Sequence, residues 1–367
     1  MIKLDGVTKR YGETLAVQGL TLEVNDGEVC VLIGPSGCGK TTSLRMVNRL
    51  VEPTSGSIAV NGKEIMSMNP EQLRRSIGYA IQSVGLFPHM TVAANIGTVP
   101  ALLHWDRERI ATRVTELLNL VGLKPDEYAG KYPAQLSGGE AQRIGVARAL
   151  AADPPILLMD EPFGAVDPLT RERLQGQFLR IQAELKKTII LVTHDLDEAI
   201  RLADRIAIMS KGQLVQFDTP DVVLASPANK FVHDFVGTDR ALKRLSRISI
   251  ETVMRPATSL PISKTIADAI ELCETCRWVW ITDDNGMLLG WVDRFSLEGT
   301  EKLSDALVPL NVEEGTLSMM ATLREALSRL LGQGVKAIPV VKDTGELVGE
   351  VDLGDIEDAT AENRPAA

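Results

Sequence analysis

The six residues Glu28 to Ile33 (EVCVLI) form an almost wholly apolar run. Gly34-Pro-Ser-Gly-Cys-Gly39-Lys40-Thr41-Thr42 follows at once, and then a helical pattern. An apolar run bounded by turn residues reads as a strand buried on both faces. The nine residues after it fit the G-x-x-x-x-G-K-[ST] loop in the strand–loop–helix setting that gives the motif its meaning. Its glycines allow unusual backbone angles and close approach, so successive N–H groups can surround phosphate oxygens. The start of the next helix adds a favourable dipole. Lys40 is expected to reach the β and γ phosphates, and the Thr41 hydroxyl to hold Mg²⁺. The bland alternative, a chance glycine-rich turn, fits this context poorly.

Two further apolar runs end in chemistry. Ile156-Leu-Leu-Met159 leads into Asp160-Glu161, and Thr188 to Val192 (TIILV) leads into Thr193-His194. Ligands of open α/β sheets bind outside the carboxyl ends of the strands, so these positions count. Asp160 suits Mg²⁺ and Glu161 suits the base for an attacking water. His194, alone, would read as structural; its place at a strand end makes it a candidate γ-phosphate sensor. Gln82, after IGYAI, is a neutral amide placed to touch metal or water. Between these runs, about 104 to 150, apolar residues recur at helical spacing (Leu117, Leu118, Val121, Ile144, Ala147, Leu150). The alternation of short strands and helices indicates an α/β domain with much parallel sheet.

Composition narrows the rest. The chain is 44% apolar and 24% charged, an ordinary globular balance. It has no run of 18 apolar residues, so no membrane span is expected, and MIKLDGVTKRYGE lacks the apolar core of a secretory signal. Four cysteines make no disulfide framework and fit a reducing compartment. With 39 basic against 49 acidic residues, net -10, nucleic acid is not the expected partner. Residues 241–367 hold 13 basic and 21 acidic residues, net -8, which leaves -2 for the rest and marks a boundary near 240. Beyond it the chain repeats: Gly286-Met-Leu288-Leu-Gly290-Trp-Val292-Asp293 matches Gly345-Glu-Leu347-Val-Gly349-Glu-Val351-Asp352. Upstream, Asp268-Ala269-Ile270 answers Glu325-Ala326-Leu327. Each unit reads as helix, strand, glycine turn and strand, and two such units are expected to pack on each other.

Leu136-Ser137-Gly138-Gly139-Glu140, followed by Ala141-Gln142-Arg143, resembles the signature of ABC-transporter ATPases. With the loop at 34–42, Gln82, Asp160-Glu161, Gly164-Ala-Val-Asp167 and His194, the family's motifs stand in family order over about residues 1–236. The resemblance implies an α/β ABC-type P-loop ATPase domain over 1–236, with a helical subdomain at about 86–150. It implies that Tyr11, in KRYG, stacks on adenine, where an exposed strand-end tyrosine is the alternative. Gly34, Pro35, Ser36, Gly37, Cys38, Gly39, Lys40, Thr41 and Thr42 would bind ATP, and Thr41, Gln82 and Asp160 the Mg²⁺. Glu161, His194 and Gln82 would be catalytic. Ser137, Gly138 and Gly139 would meet ATP held by a second subunit, so that a homodimer sandwiches two nucleotides, and Glu140 and Asp167 would also be nucleotide-binding.

Arg74 to Gln82 (RRSIGYAIQ) and Gly85 to Ile96 (GLFPHMTVAANI) resemble the importer ATPases for glycine betaine, carnitine and choline. In that family the segment after Gln82 touches the membrane permease. The implied partners are permease subunits and, indirectly, an extracytoplasmic substrate-binding protein, with this chain on the cytoplasmic face of the membrane. The duplicated tail resembles a tandem CBS module, an α+β domain: linker 237–246, first repeat 247–299, second repeat 300–360 and a tail at 361–367. CBS units that bind adenine nucleotides carry a hydroxyl for phosphate and, three residues later, an Asp for ribose. Here Asp293 and Asp352 replace the hydroxyls, and only the second repeat keeps the later Asp, as Asp355; the first has Ser296. Like charge predicts poor AMP or ATP binding, and a regulatory role through another ligand, through ionic strength, or none, stays open.

Cys273 and Cys276, a lone C-x-x-C, read as core packing rather than zinc. Trp278, Trp280 and Trp291 read as sheet packing rather than a quaternary-ammonium cage. Arg240, Lys243, Arg244 and Arg247 read as a solvated linker helix rather than a lipid contact. Two other functions compete with the importer. A soluble non-transport ABC ATPase would usually carry two cassettes or a coiled-coil insertion; a ligand sensor with a degenerate ATPase would not keep Lys40, Glu161 and His194. An importer for another small amine or amino acid is the nearest alternative in substrate.

Overall fold

The computed structural model describes residues 1–81, 85–164 and 167–362. The chain forms two compact units, Met1–Thr238 and Asp239–Ala367.

In the first unit β1 (Ile2–Tyr11), β2 (Thr14–Val24), β4 (Ser55–Val60) and β5 (Lys63–Glu64) form an antiparallel sheet in the order β2-β1-β4-β5. A second sheet has the order β10-β9-β3-β8-β7-β6, built from β3 (Val29–Ile33), β6 (Ile77–Ala80), β7 (Ile156–Asp160), β8 (Thr188–Val192), β9 (Arg205–Ser210) and β10 (Gln213–Asp218). Its strands β9, β3, β8, β7 and β6 are parallel, and β10 closes one edge antiparallel. Every residue of β3, β7 and β8 is buried, which is why each reads as a continuous apolar run instead of an alternating one.

Side-chain alternation still sorts these strands. Cys30, Leu32, Leu158 and Ile190 join one core with the antiparallel sheet and with Leu44 and Met46 of α1 (Lys40–Val47). Val31, Ile33, Leu157, Met159 and Leu191 join the other, against helices. Those helices include α3 (Val92–Leu102), α4 (Arg107–Leu120), α6 (Gly138–Leu150), α7 (Pro168–Leu185) and α8 (Leu196–Leu202); α2 (Pro70–Ser76) and α5 (Pro125–Tyr128) are short connectors, and α9 (Pro220–Ala225) and α10 (Lys230–Val236) end the unit. Because β3, β8 and β7 are neighbours, the loops after them emerge side by side at one edge of the sheet.

The second unit opens with α11 (Arg240–Leu245) and then builds two similar halves. In the first, β11 (Ser259–Pro261), α12 (Ile266–Thr275), β12 (Trp278–Thr282), β13 (Leu288–Asp293), α13 (Arg294–Leu297), α14 (Leu303–Ala306) and β14 (Val308–Pro309) make a sheet of order β11-β12-β13-β14. In the second, α15 (Val312–Gly315) precedes β15 (Leu317–Ser318), α16 (Leu323–Gln333), β16 (Ala337–Val341), β17 (Leu347–Asp352) and α17 (Leu353–Glu362), with sheet order β15-β16-β17. Each half has its own core, and a third cluster of Trp280, Leu288 and Val341, with Trp278, Trp291 and Leu347 against it, joins them. The turns of the two hairpins hydrogen-bond to each other: Leu288 N donates to Gly345 O at 3.2 Å and Leu347 N to Gly286 O at 3.0 Å.

Candidate active site

The phosphate loop is shaped by its glycines. Gly39 caps α1 with φ 101°, and a Cβ there would lie 2.6 Å from the Ala16 carbonyl oxygen. No side chain fits, so the backbone N–H groups stay open to an anion. Lys40 is buried, and its Nζ donates to Gly34 O at 2.6 Å and Pro35 O at 3.1 Å, with Cys38 Sγ 3.7 Å away. The ammonium is thus already stripped of most water and held over the loop. Thr41 Oγ1 donates to Asp160 Oδ1 at 3.0 Å, tying the start of α1 to the end of β7. Burial raises the Asp160 carboxyl above its ordinary value, with the Thr41 hydrogen bond and Arg45 opposing. A hydroxyl and a buried carboxylate side by side are a hard oxygen pair, the donor set that suits Mg²⁺.

Glu161 follows in a left-handed backbone conformation, φ 47°, which is uncommon for a non-glycine residue and concentrates at functional sites. Its N–H donates to Val192 O at 2.9 Å, so β8 pins the turn. His194 Nδ1 lies 3.3 Å from Glu161 Oε1, and the imidazole is otherwise largely exposed. Lys40, Thr41, Asp160, Glu161 and His194 therefore converge from three adjacent strand ends. The arrangement can cradle a polyphosphate, hold a divalent cation and present a carboxylate–imidazole pair to a water. Gln82 lies outside the described residues.

Ser137 and Glu140 form a reciprocal capping box at the start of α6: Glu140 N donates to Ser137 Oγ at 3.3 Å, and Ser137 N to Glu140 Oε2 at 2.7 Å. Tyr128 Oη donates to Glu140 Oε1 at 2.6 Å and holds that carboxyl below its ordinary value. Ser137 to Glu140 thus form an anion-ready helix start with its own support, and no hydrogen bond among the described residues ties it to the phosphate loop. Asp167 caps α7, accepting from Thr170 N at 3.0 Å. Tyr11 is exposed at the β1–β2 turn, with Lys9 Nζ 4.9 Å from its ring centroid. The Tyr128 link was not legible beforehand, since twelve residues and a loop separate the partners.

In the second unit the aspartates behind the like-charge reading have a cation beside them. Asp293 caps α13 through Ser296 N at 2.8 Å, and Asp352 caps the start of α17 through Asp355 N at 3.0 Å. Arg255, far away in sequence, also reaches Asp352 Oδ2 at 2.7 Å, Asp355 Oδ1 at 3.8 Å and Glu350 Oε1 at 3.1 Å. One guanidinium against three carboxylates offsets part of the negative charge there and leaves it net negative. Glu350, buried, accepts from both Trp278 Nε1 at 3.1 Å and Trp280 Nε1 at 2.6 Å, so the two indoles serve the seam between the halves. Cys273 packs against the first half's core.

Asp352→Thr is expected to release Arg255 toward a phosphate while the threonine still caps the helix. AMP affinity should rise by about tenfold, less than the about 4 kcal/mol felt by two like charges 4 Å apart near a surface, because Arg255 already offsets part of it. Asp293→Thr, without a later aspartate, should gain less. Calorimetric AMP titration of the chain carrying Lys40→Ala reads both, and a larger gain from Asp293→Thr would contradict this account.

Fold and site together define a nucleotide-binding P-loop ATPase with a signature helix. The ABC transporter family model matches residues 17–164, and the CBS domain model matches residues 312–362. The chain is 46% identical over 366 residues to the glycine betaine/carnitine/choline transport ATP-binding protein OpuCA of Bacillus subtilis (strain 168), covering 98% of this chain and 96% of that protein. It is 45% identical over 378 residues to the osmoprotectant import ATP-binding protein OsmV of Salmonella typhimurium, covering 99% and 97%. A dimeric ATP-binding cassette in a post-hydrolysis state, bound to ADP and Pi, aligns with a TM-score of 0.55 and 32% identity over 60% of this chain and 98% of that one. The chain belongs to the ATP-binding subunits of ABC transporters, and it is an ATPase. Among the described residues no helix is long and apolar enough to cross a membrane.

Proposed function

We propose that this subunit energises an importer of quaternary-amine osmoprotectants such as glycine betaine, carnitine and choline. The observation that carries the reading is the convergence of Lys40, Thr41, Asp160, Glu161 and His194 on one sheet edge. The match to osmoprotectant-import relatives along nearly the whole chain, tail included, supports the substrate class.

In this reading the domains are the ATPase over 1–236, a linker at 237–246 and CBS repeats at 247–299 and 300–360. Tyr11 stacks on adenine, and the loop 34–42 and Lys40 bind the phosphates. Thr41 and Asp160, with Gln82, hold Mg²⁺, which supplies charge neutralisation at the phosphates. Glu161 orients the attacking water and takes its proton on Oε2 or Oε1, and His194 steadies that carboxylate and meets the γ-phosphate. Ser137 to Glu140 and Asp167 complete the site of a second copy, so hydrolysis belongs to a homodimer.

A groove of about 450 Å³ that includes Arg74, Tyr79, Ile81, Phe87, Thr98 and Arg148 borders the segment that resembles permease-contacting sequence, and takes Gly85 and Phe87 from it. It is the proposed seat of the membrane subunits on the cytoplasmic face, with the substrate-binding protein acting through them. The CBS unit is the proposed regulatory sensor.

Deleting the gene for this chain should abolish uptake of at least one of radiolabelled glycine betaine, carnitine or choline by osmotically stressed cells. Uptake of all three unchanged, with loss of another amine or amino acid, would overturn the substrate class. Lys40→Ala is expected to weaken ATP binding by about 1.5–3 kcal/mol, the range for hydrogen bonds to charged groups. Calorimetry checks it, and unchanged affinity would remove Lys40 from the phosphate site.

A further inference from the structure

Glu198 lies on the first turn of α8, four residues after His194, and is buried among apolar neighbours Ala199, Ile200 and Leu202. One carboxyl oxygen, Oε1, is fully buried and has no hydrogen-bond partner. Its other link is to the Thr193 hydroxyl. Thr193 Oγ1 in turn accepts from Asp195 N at 3.0 Å, and Asp195 Oδ1 accepts from Asp197 N at 2.9 Å and Glu198 N at 3.1 Å. His194 therefore sits between two residues whose side chains both tie to the turn that carries Glu198. That turn is the only covalent support between β8 and the helix.

A buried carboxylate with an orphaned oxygen is costly unless a cation neutralises it or a proton does. The groups facing Glu198 are Asp195 at the start of its own helix, Arg171 from α7 and Glu161 from the end of β7. β3, on which α8 also packs, offers the apolar run Val29–Ile33. Among the described residues the cation of this group, Arg171, is directed at Asp195, 3.4 Å from its Oδ2. Two acids and one shared cation leave protonation as the remaining way to stabilise the site.

The geometry points to Glu198 as a positioning residue for hydrolysis: held as a neutral acid, it keeps the Thr193–Asp195 turn in the shape that aims His194 at Glu161. Burial, followed by Asp195, pushes its carboxyl up to about 8. The raised value means that the protonated form dominates below that pH. Its contribution to stability is fully present below the ordinary glutamate range and is lost as pH rises through about 8. Ionisation there sets a third negative charge against Asp195 and Glu161 and loosens the turn. The inference rests on the roles proposed above for His194 and Glu161.

The test is the pH dependence of ATP turnover by the full-length chain with Mg²⁺, comparing wild type, Glu198→Gln, Glu198→Ala and His194→Ala. Wild-type kcat should fall on the alkaline side near pH 8. Glu198→Gln, a permanent mimic of the neutral acid, should move that fall to higher pH. Glu198→Ala should lower kcat by about tenfold to a hundredfold, the cost of a misplaced catalytic group, with KM for ATP unchanged, and Glu198→Gln should recover most of the loss. If the alanine variant does not fold, the glutamine profile alone decides. A Glu198→Gln profile that coincides with wild type, while His194→Ala has lost turnover, overturns this inference alone. Full turnover in His194→Ala overturns the site reading beneath it.

Discussion

Glu161→Gln should bind ATP as wild type does and hydrolyse it about 10²–10⁴-fold more slowly, the usual worth of a positioned base. The structure makes the substitution a clean one. The Glu161 backbone is pinned by its N–H bond to Val192 O, and glutamine fits the same left-handed turn with the same shape. What changes is the charge facing His194 at 3.3 Å and the ability to accept a proton. With turnover stopped, ATP should hold two copies of the chain together. Light scattering with ATP should show the mutant associating while wild type returns to monomer as nucleotide is consumed. Near wild-type hydrolysis would show that the carboxylate has another role.

Glu350→Ala should destabilise the second unit by about 2–4 kcal/mol, because each buried donor left without a partner costs about 1–3 kcal/mol. The Trp280 indole N–H, in a buried side chain, loses its acceptor outright, and Trp278 and Arg255 lose one as well. Arg255 is about two-fifths exposed, so water recovers part of its loss. For a unit of this size the expected drop in Tm is about 5–15 °C. Three of the four tryptophans, Trp278, Trp280 and Trp291, belong to this unit, so intrinsic fluorescence reports its melting directly. An unchanged melt would mean that the indoles find water instead. Glu350→Gln, which keeps one acceptor, should fall between.

The ATPase site was legible because its residues sit in local patterns: an apolar strand, a short turn, then the reactive side chain. Asp160-Glu161 and Thr193-His194 need no knowledge of distant contacts to be placed at strand ends. The second unit was legible as a duplication for the same reason, but its cleft chemistry was not. Arg255 lies about a hundred residues from Asp352, and nothing in the intervening pattern announces that the two meet. Trp278 and Trp280 pack as the sequence suggests, yet the acceptor they share, Glu350, comes from the other repeat, and no local pattern pairs it with them. Glu198 was missed although a signal existed. It interrupts the buried run Ala199, Ile200 and Leu202 of α8 four positions after His194, although an acid in a first helical turn also fits the helix dipole.

The crossed hydrogen bonds between the turns at Gly286 and Gly345 also bear on ancestry. Each hairpin finishes its partner's backbone pairing, so neither repeat is a self-sufficient piece of chain. A deletion that removed one would strip polar groups from the survivor and expose its side of the shared cluster, Trp280 and Leu288 in the first repeat or Val341 in the second. The smallest heritable part is therefore the pair. Substitutions can drift apart between the copies, as Ser296 and Asp355 have, but gain or loss of this module in evolution should occur in steps of two repeats.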